Sequence, residues 1–164
     1  MKNERTYRWA DPAEIAAAAQ GRTGLELLRL MAEGKVPPPP VGSLIGVTQD
    51  LAVEKGKVSC GFDPAEFHYN ALGTVHGGVI ATVIDIVIGS AVHSTLKAGH
   101  GFTTLTLELK YHRAVTAKSG RLTATAEVIT RGREIVTAQA KLIDKNDRLF
   151  AAATSTLMIM RAPS

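Results

Sequence analysis

Residues 76–93 read HGGVIATVIDIVIGSAVH, and the conformation of this stretch decides the architecture. Val79, Ile80, Val83, Ile84, Ile86, Val87 and Ile88 leave almost no polar face, so the segment is either a buried strand or a helix enclosed by protein. From His76 to about Leu96 it is too long for a typical strand. Gly78, Ala81, Gly89 and Ala91 recur at near-helical spacing and permit close approach to a sheet or another helix. The reading is a long buried helix. Its apolar run, Val79 to Val92, contains Asp85 and Ser90 and is shorter than the ~18 to 20 residues a membrane span needs.

After this segment four runs have strand character: Phe102 to Arg113, Arg121 to Thr130, Glu134 to Ile143 and Leu149 to Met160. In the first, Leu105, Leu107, Leu109 and Tyr111 alternate with Thr104, Thr106, Glu108 and Lys110. Turn residues separate the runs, as in Lys145, Asn146 and Asp147. Before the helix, Leu44 to Val53 and Lys57 to Phe62 flank Glu54, Lys55 and Gly56 and suggest a hairpin. Further upstream, Leu25, Leu28 and Met31 mark a short amphipathic helix over Thr23 to Ala32, followed by the four prolines Pro37 to Pro40 as an extended linker. Residues 1–20 carry only a weak Ala-rich helical signal. The expected class is α+β, with one antiparallel sheet curled around a long central helix, an N-terminal helical extension and linker over 1–40, and the main domain over 41–164.

Composition narrows the function. The 164 residues, 45% apolar and 21% charged, suit one compact domain and exclude disorder over the whole length. Lys+Arg 19 against Asp+Glu 15 gives a net charge of +4, spread without a basic cluster, so no nucleic-acid partner is expected and an acidic small ligand fits as well. Cys60 is the only cysteine, which excludes an intrachain disulfide and fits a reducing compartment. Lys2 and Arg5 are followed by Asp11 and Glu14 rather than by an apolar signal region, so the expected location is cytoplasmic, with no membrane partner.

Two features of the central segment carry chemistry. Gly77 and Gly78 stand where the helix begins, and the opening amides of a helix have no internal partner. They can present N–H groups to an oxyanion, aided by the positive end of the helix dipole; the plainer alternative is a tight turn. Asp85 is the only charge between His76 and His93. A buried, unpaired carboxylate is costly or shifts its pKa, so it serves either chemistry or a buried structural pairing. Nine residues at ~1.5 Å rise put it roughly 13 Å along the axis from His76. One helix cannot bring the amide and the carboxylate together. If both act on one substrate, they come from two antiparallel helices, most simply related by a dimer two-fold.

The run from Asn70 through Gly73, His76, Gly77 and Gly78 to Asp85, followed by the strand Thr104 to Tyr111, resembles the hotdog-fold acyl-CoA thioesterases of the phenylacetic-acid-degradation (PaaI-like) type. The resemblance covers roughly residues 41–160. It implies a hotdog fold and hydrolysis of an acyl- or aryl-CoA to the acid and CoA, with Asp85 as nucleophile or general base and the Gly77 N–H polarising the carbonyl. Asn70 would help hold the carbonyl or the water, and Thr104 would assist the water. His76 matches the motif histidine. Many relatives carry an acid two positions beyond that Ser or Thr, where this chain has Thr106. Gly78, Arg113 and Arg131, together with Lys118, are candidates for holding the substrate, the basic ones by charge and strand-end position alone. No metal and no separate cofactor are expected, CoA being part of the substrate. A homodimer at minimum, and a homotetramer as a dimer of dimers, is the expected assembly.

The residue types suit this chemistry, because a thiol with pKa near ~8.5 leaves without an obligatory acid and a carboxylate plus an oxyanion hole suffices. Ser43, Ser59 and Ser90 lack a nucleophile-elbow pattern. Two alternatives stay open. One is a hydratase or dehydratase using His93, which faces roughly the same side of the helix as Asp85. The other is a non-catalytic acyl-CoA-binding module.

Overall fold

The computed structural model describes residues 3–48 and 50–161. Four helices, α1 (Pro12–Ala19), α2 (Gly24–Ala32), α3 (Pro40–Ile45) and α4 (Gly77–His93), accompany six strands, β1 (Ala52–Glu54), β2 (Lys57–Phe62), β3 (His100–Tyr111), β4 (Leu122–Arg131), β5 (Ile135–Asp144) and β6 (Leu149–Arg161). The strands form one antiparallel sheet in the order β1-β2-β4-β5-β6-β3. This is the α+β hotdog arrangement expected from the sequence. No helix among the described residues is long and apolar enough to cross a membrane.

The central helix forms because its alternatives are worse. Ile80, Val83, Ile84, Val87, Ile88, Ala91 and Val92 of α4 are buried against inward residues of the sheet such as Phe62, Leu122, Val136, Leu142 and Leu157. Covering that much apolar surface outweighs the modest helix propensity of β-branched residues. The rest of α4, including Asp85, Ile86 and Ser90, is only half-buried, so the helix has a second side that the sheet does not cover.

Part of that side is taken by the N-terminal helices. Thr23 and Glu26 form a reciprocal capping box that starts α2: the Glu26 carboxylate accepts from the Thr23 N–H (2.8 Å) and Thr23 Oγ1 accepts from the Glu26 N–H (3.3 Å). The Thr23 N–H and the Thr23 hydroxyl, which also donates to the carboxylate (2.8 Å), hold the Glu26 pKa below its ordinary value. Leu27, Leu28 and Met31 then join the same buried cluster as α4. The contact is close: a Cβ at Gly24 would lie 1.9 Å from the His93 carbonyl oxygen, so only glycine lets α2 approach there.

Two sequence expectations are corrected. The stretch Leu44 to Val53 is not a strand: Leu44 and Ile45 end α3, Val47 makes an isolated bridge to Phe62, and pairing resumes only at Ala52. Nor do all four prolines form an extended linker. Pro40 is the first residue of α3, where a missing N–H costs nothing and a fixed φ favours the helix. The end of α3 is fastened from outside itself, by Arg5 donating to the Leu44 (2.6 Å) and Ser43 (3.2 Å) carbonyls and by His68 Nε2 on the Ile45 carbonyl (2.7 Å).

Candidate active site

Asp85 sits on the open side of α4, half-buried rather than fully enclosed, and it is not unpaired. Thr104 of β3 donates its hydroxyl to Asp85 Oδ1 at 3.0 Å, while Oδ2 takes no bond among the described residues. Strict alternation would turn Thr104 away from the helix. It faces inward because β3 carries a bulge: Thr104 pairs with Leu157 and Thr106 with Thr156, leaving Leu105 unpaired and half-exposed. Leu107 and Leu109 therefore share Thr104's face, and Leu105 does not, contrary to the alternation read from the sequence. Thr106 sits in the outward-facing register, where its carbonyl accepts from Ser155 Oγ (2.6 Å) and its hydroxyl from the Thr156 N–H (3.3 Å).

A cavity of about 310 Å³ opens beside Asp85. Leu27, Leu28 and Met31 of α2 line one wall, and Asp85, Gly89 and His93 of α4 line the other. Phe102 of β3 also borders it, lying so close to Gly89 that a Cβ there would meet the ring at 2.9 Å. The lining is mostly apolar.

The start of α4 is built separately. His76 is its N-cap, with Nδ1 accepting from the Gly78 N–H at 2.9 Å, which leaves the ring proton to Nε2. The Gly78 amide is thus engaged, whereas the Gly77 N–H takes no bond among the described residues. Asn70 organises the preceding turn: its Oδ1 accepts from the Leu72 (2.9 Å) and Thr74 (3.3 Å) N–H groups, and its Nδ2 donates to Thr74 Oγ1 (3.2 Å). The turn closes through the Tyr69–Val75 bridge and the His76 N–H to the His68 carbonyl (2.8 Å), which delivers His76 to the helix start.

Gly77 lines a second cavity of about 320 Å³ together with Thr74, Tyr111 and Arg113. Within one chain the structure therefore brings Thr104 to Asp85 and Arg113 near Gly77, but places Gly77 and Asp85 in different cavities. Arg113 also donates to the Leu149 carbonyl (2.6 Å). Arg131 reaches Thr95 Oγ1 (3.3 Å) just past the far end of α4, and Lys118 lies in the turn Ala117–Ser119; neither borders either cavity.

Sequence reasoning missed Tyr111 as a site residue. Its hydroxyl donates to the Gly77 carbonyl at 2.8 Å and clamps the helix start to the end of β3. A phenol at a strand end was the only available signal. The walls contributed by α2 had no signal at all, since Leu27, Leu28 and Met31 look like ordinary core residues.

A family model described as the thioesterase superfamily matches residues 72–151, a span that holds Gly77, Asp85 and Thr104. The fold is similar to that of a phenylacetic acid degradation-related protein of Ralstonia eutropha JMP134, at TM-score 0.72 and 29% identity over 80% of this chain and 98% of that one. The PaaI protein of the E. coli phenylacetic acid degradation operon shares the fold at TM-score 0.68 and 17% identity, over 76% of this chain and 86% of that one. By sequence, the chain is 28% identical over 103 residues to human acyl-coenzyme A thioesterase 13, covering 62% of this chain and 71% of the relative.

Proposed function

We propose that this chain, whose residues 72–151 match the thioesterase superfamily model, is a thioesterase in which Asp85 is the nucleophile or general base that hydrolyses an acyl- or aryl-CoA thioester to the free acid and CoA. The observation that carries this is the Thr104–Asp85 pair, whose carboxylate lines an apolar cavity. The Thr104 hydroxyl fixes one carboxylate oxygen by a charge-assisted hydrogen bond and leaves the other free to take a proton from water or to attack the carbonyl. The acyl group lies in the 310 Å³ cavity, a volume within the usual range for small-ligand sites.

The carbonyl oxygen is held by the Gly77 N–H of a second copy. Along one helix Gly77 and Asp85 are eight residues apart, about 12 Å, so one chain cannot supply both to one carbonyl. β3 supports that assembly, because it is a long strand at the sheet edge with its outer side unpaired and Leu105 and Tyr111 exposed along it. Pairing two such edges antiparallel would also set the two α4 helices antiparallel. The unit is thus at least a dimer, with a dimer of dimers as its extension.

In the general-base course, water loses a proton to Asp85 and adds to the carbonyl carbon, the oxyanion forms at the Gly77 N–H, and the C–S bond breaks. CoA leaves as a thiolate that needs no acid. In the nucleophilic course Asp85 forms an anhydride that water then cleaves. Arg113, beside Gly77, is the basic residue best placed for the phosphates of CoA.

A thiol-trapping assay over a panel of CoA thioesters tests this reading. Wild-type protein should release CoA, and Asp85→Asn should lose at least about a thousandfold in kcat with an unchanged melting temperature. Wild-type rates in Asp85→Asn, or tight thioester binding without release by the wild type, would overturn it.

A further inference from the structure

His93 ends the same stripe of α4 that carries Asp85 and Gly89, and it borders the same cavity. The other polar side chains there are already occupied. Ser90 donates to the Ile86 carbonyl (2.8 Å), Thr48 is bonded to Asp50 and Arg121, and Asp85 accepts from Thr104. The two imidazole nitrogens of His93 have no hydrogen-bond partner among the described residues, and the ring is tilted against Phe102 at 5.8 Å between centroids. No sealed side-chain nitrogen or oxygen among the described residues lacks a partner, so these two nitrogens open onto the cavity and are free to engage a ligand there.

We infer that His93 is a specificity-determining residue that hydrogen-bonds a neutral hydroxyl carried on the acyl group. The inference rests on the reading of Asp85 as the residue that acts on the thioester. Eight residues of helix separate the two side chains by about 12 Å. Subtracting roughly 3 Å for the approach of Asp85 to the carbonyl carbon, and roughly 3 Å for a hydrogen bond to His93, leaves about 6 Å between the carbonyl carbon and the polar atom. A benzene ring bearing a hydroxyl opposite its acyl attachment spans that gap, as does a short straight chain with a terminal hydroxyl.

The choice of hydroxyl over carboxylate follows from the surroundings. Burial pushes the His93 pKa below the ordinary imidazole value, so the ring offers one donor and one acceptor and no charge to balance an anion. A hydroxyl satisfies both sides of that offer. Phe102 and the leucines of α2 hold the rest of the acyl group without distinguishing its chemistry.

The test compares matched CoA thioesters that differ by one hydroxyl: 4-hydroxyphenylacetyl against phenylacetyl, and 6-hydroxyhexanoyl against hexanoyl. Wild-type protein should favour the hydroxylated member of at least one pair by about ten- to a hundredfold in kcat/KM. His93→Leu should bring that ratio near one, and His93→Gln, which keeps a donor and an acceptor, should retain part of it. Equal wild-type efficiency within both pairs, or an undiminished ratio in His93→Leu, overturns the assignment of His93 while leaving thioester hydrolysis standing. No thiol release from any of the esters overturns both.

Discussion

Gly77 occupies the first turn of α4, the one helical position where proline is well tolerated, and His76 before it has the extended backbone (φ −59°, ψ 135°) that a following proline requires. Gly77→Pro therefore removes one N–H while keeping the helix start, apart from a small shift of the Tyr111 ring. Steady-state kinetics should show kcat down about a hundred- to a thousandfold, with the melting temperature within a few degrees of wild type. Thr104→Val should cost tenfold or more in kcat, and Thr104→Ser should restore most of it, because the hydroxyl rather than the methyl reaches Asp85. Two histidines make stability fall on mild acidification. His68 accepts from the Ala65 N–H (3.0 Å) while donating to Ile45, and burial lowers its pKa, as it does for His93. The unfolded chain takes up these protons first, near pH 6.5, so stability should be complete above that pH and fall as the pH drops below it. A melting temperature flat from pH 7 to 5 would contradict this. At this scale Asp85 was legible because a lone charge in an apolar run is conspicuous. Tyr111 was not, since its partner is a backbone carbonyl 34 positions away.

Among the elements, the seam between α2 and α4 depends on Gly24, whose N–H also donates to the Leu96 carbonyl (3.2 Å). Gly24→Val should push α2 off the helix. Thermal denaturation should show a loss of several degrees, and the cavity should accept bulkier acyl groups in the thiol-release assay. Unchanged stability would mean that the seam is slack. Elements whose period agrees with their burial were readable in advance: α2, α4 and the last four strands fall within a few residues of expectation. Leu44 to Val53 failed because α3 is held by Arg5 and His68, distant in sequence, while a hydrophobic run of that length also suits a strand. The bulge in β3 was hidden for the same reason. Thr and Leu are both good strand residues, so an extra residue among them leaves no compositional trace.

For the whole molecule, the separation of Gly77 from Asp85 gives a decisive mixing experiment. Gly77→Pro and Asp85→Asn should each be inactive alone. When the two are unfolded together and refolded, mixed dimers contain one site with an intact amide from one chain and an intact carboxylate from the other. Activity should reappear toward a quarter of wild type. Mixtures as inactive as their components would mean that each chain works by itself. The architecture could be read from one apolar segment and the strands after it, but the acyl cavity could not, because its walls come from helices on opposite sides of the proline stretch. One feature of this architecture bears on how such a site can change. The extra residue at Leu105 divides β3 into two segments with independent phase, one aligning Thr104 with the carboxylate and the other aligning Leu107 and Leu109 with the interior. A strand that kept Leu105 but lost the bulge would have a single phase, and would turn either Thr104 away from Asp85 or Leu107 and Leu109 out of the interior. The two requirements are insulated from each other by one residue, so substitutions can accumulate on either side of it without propagating across.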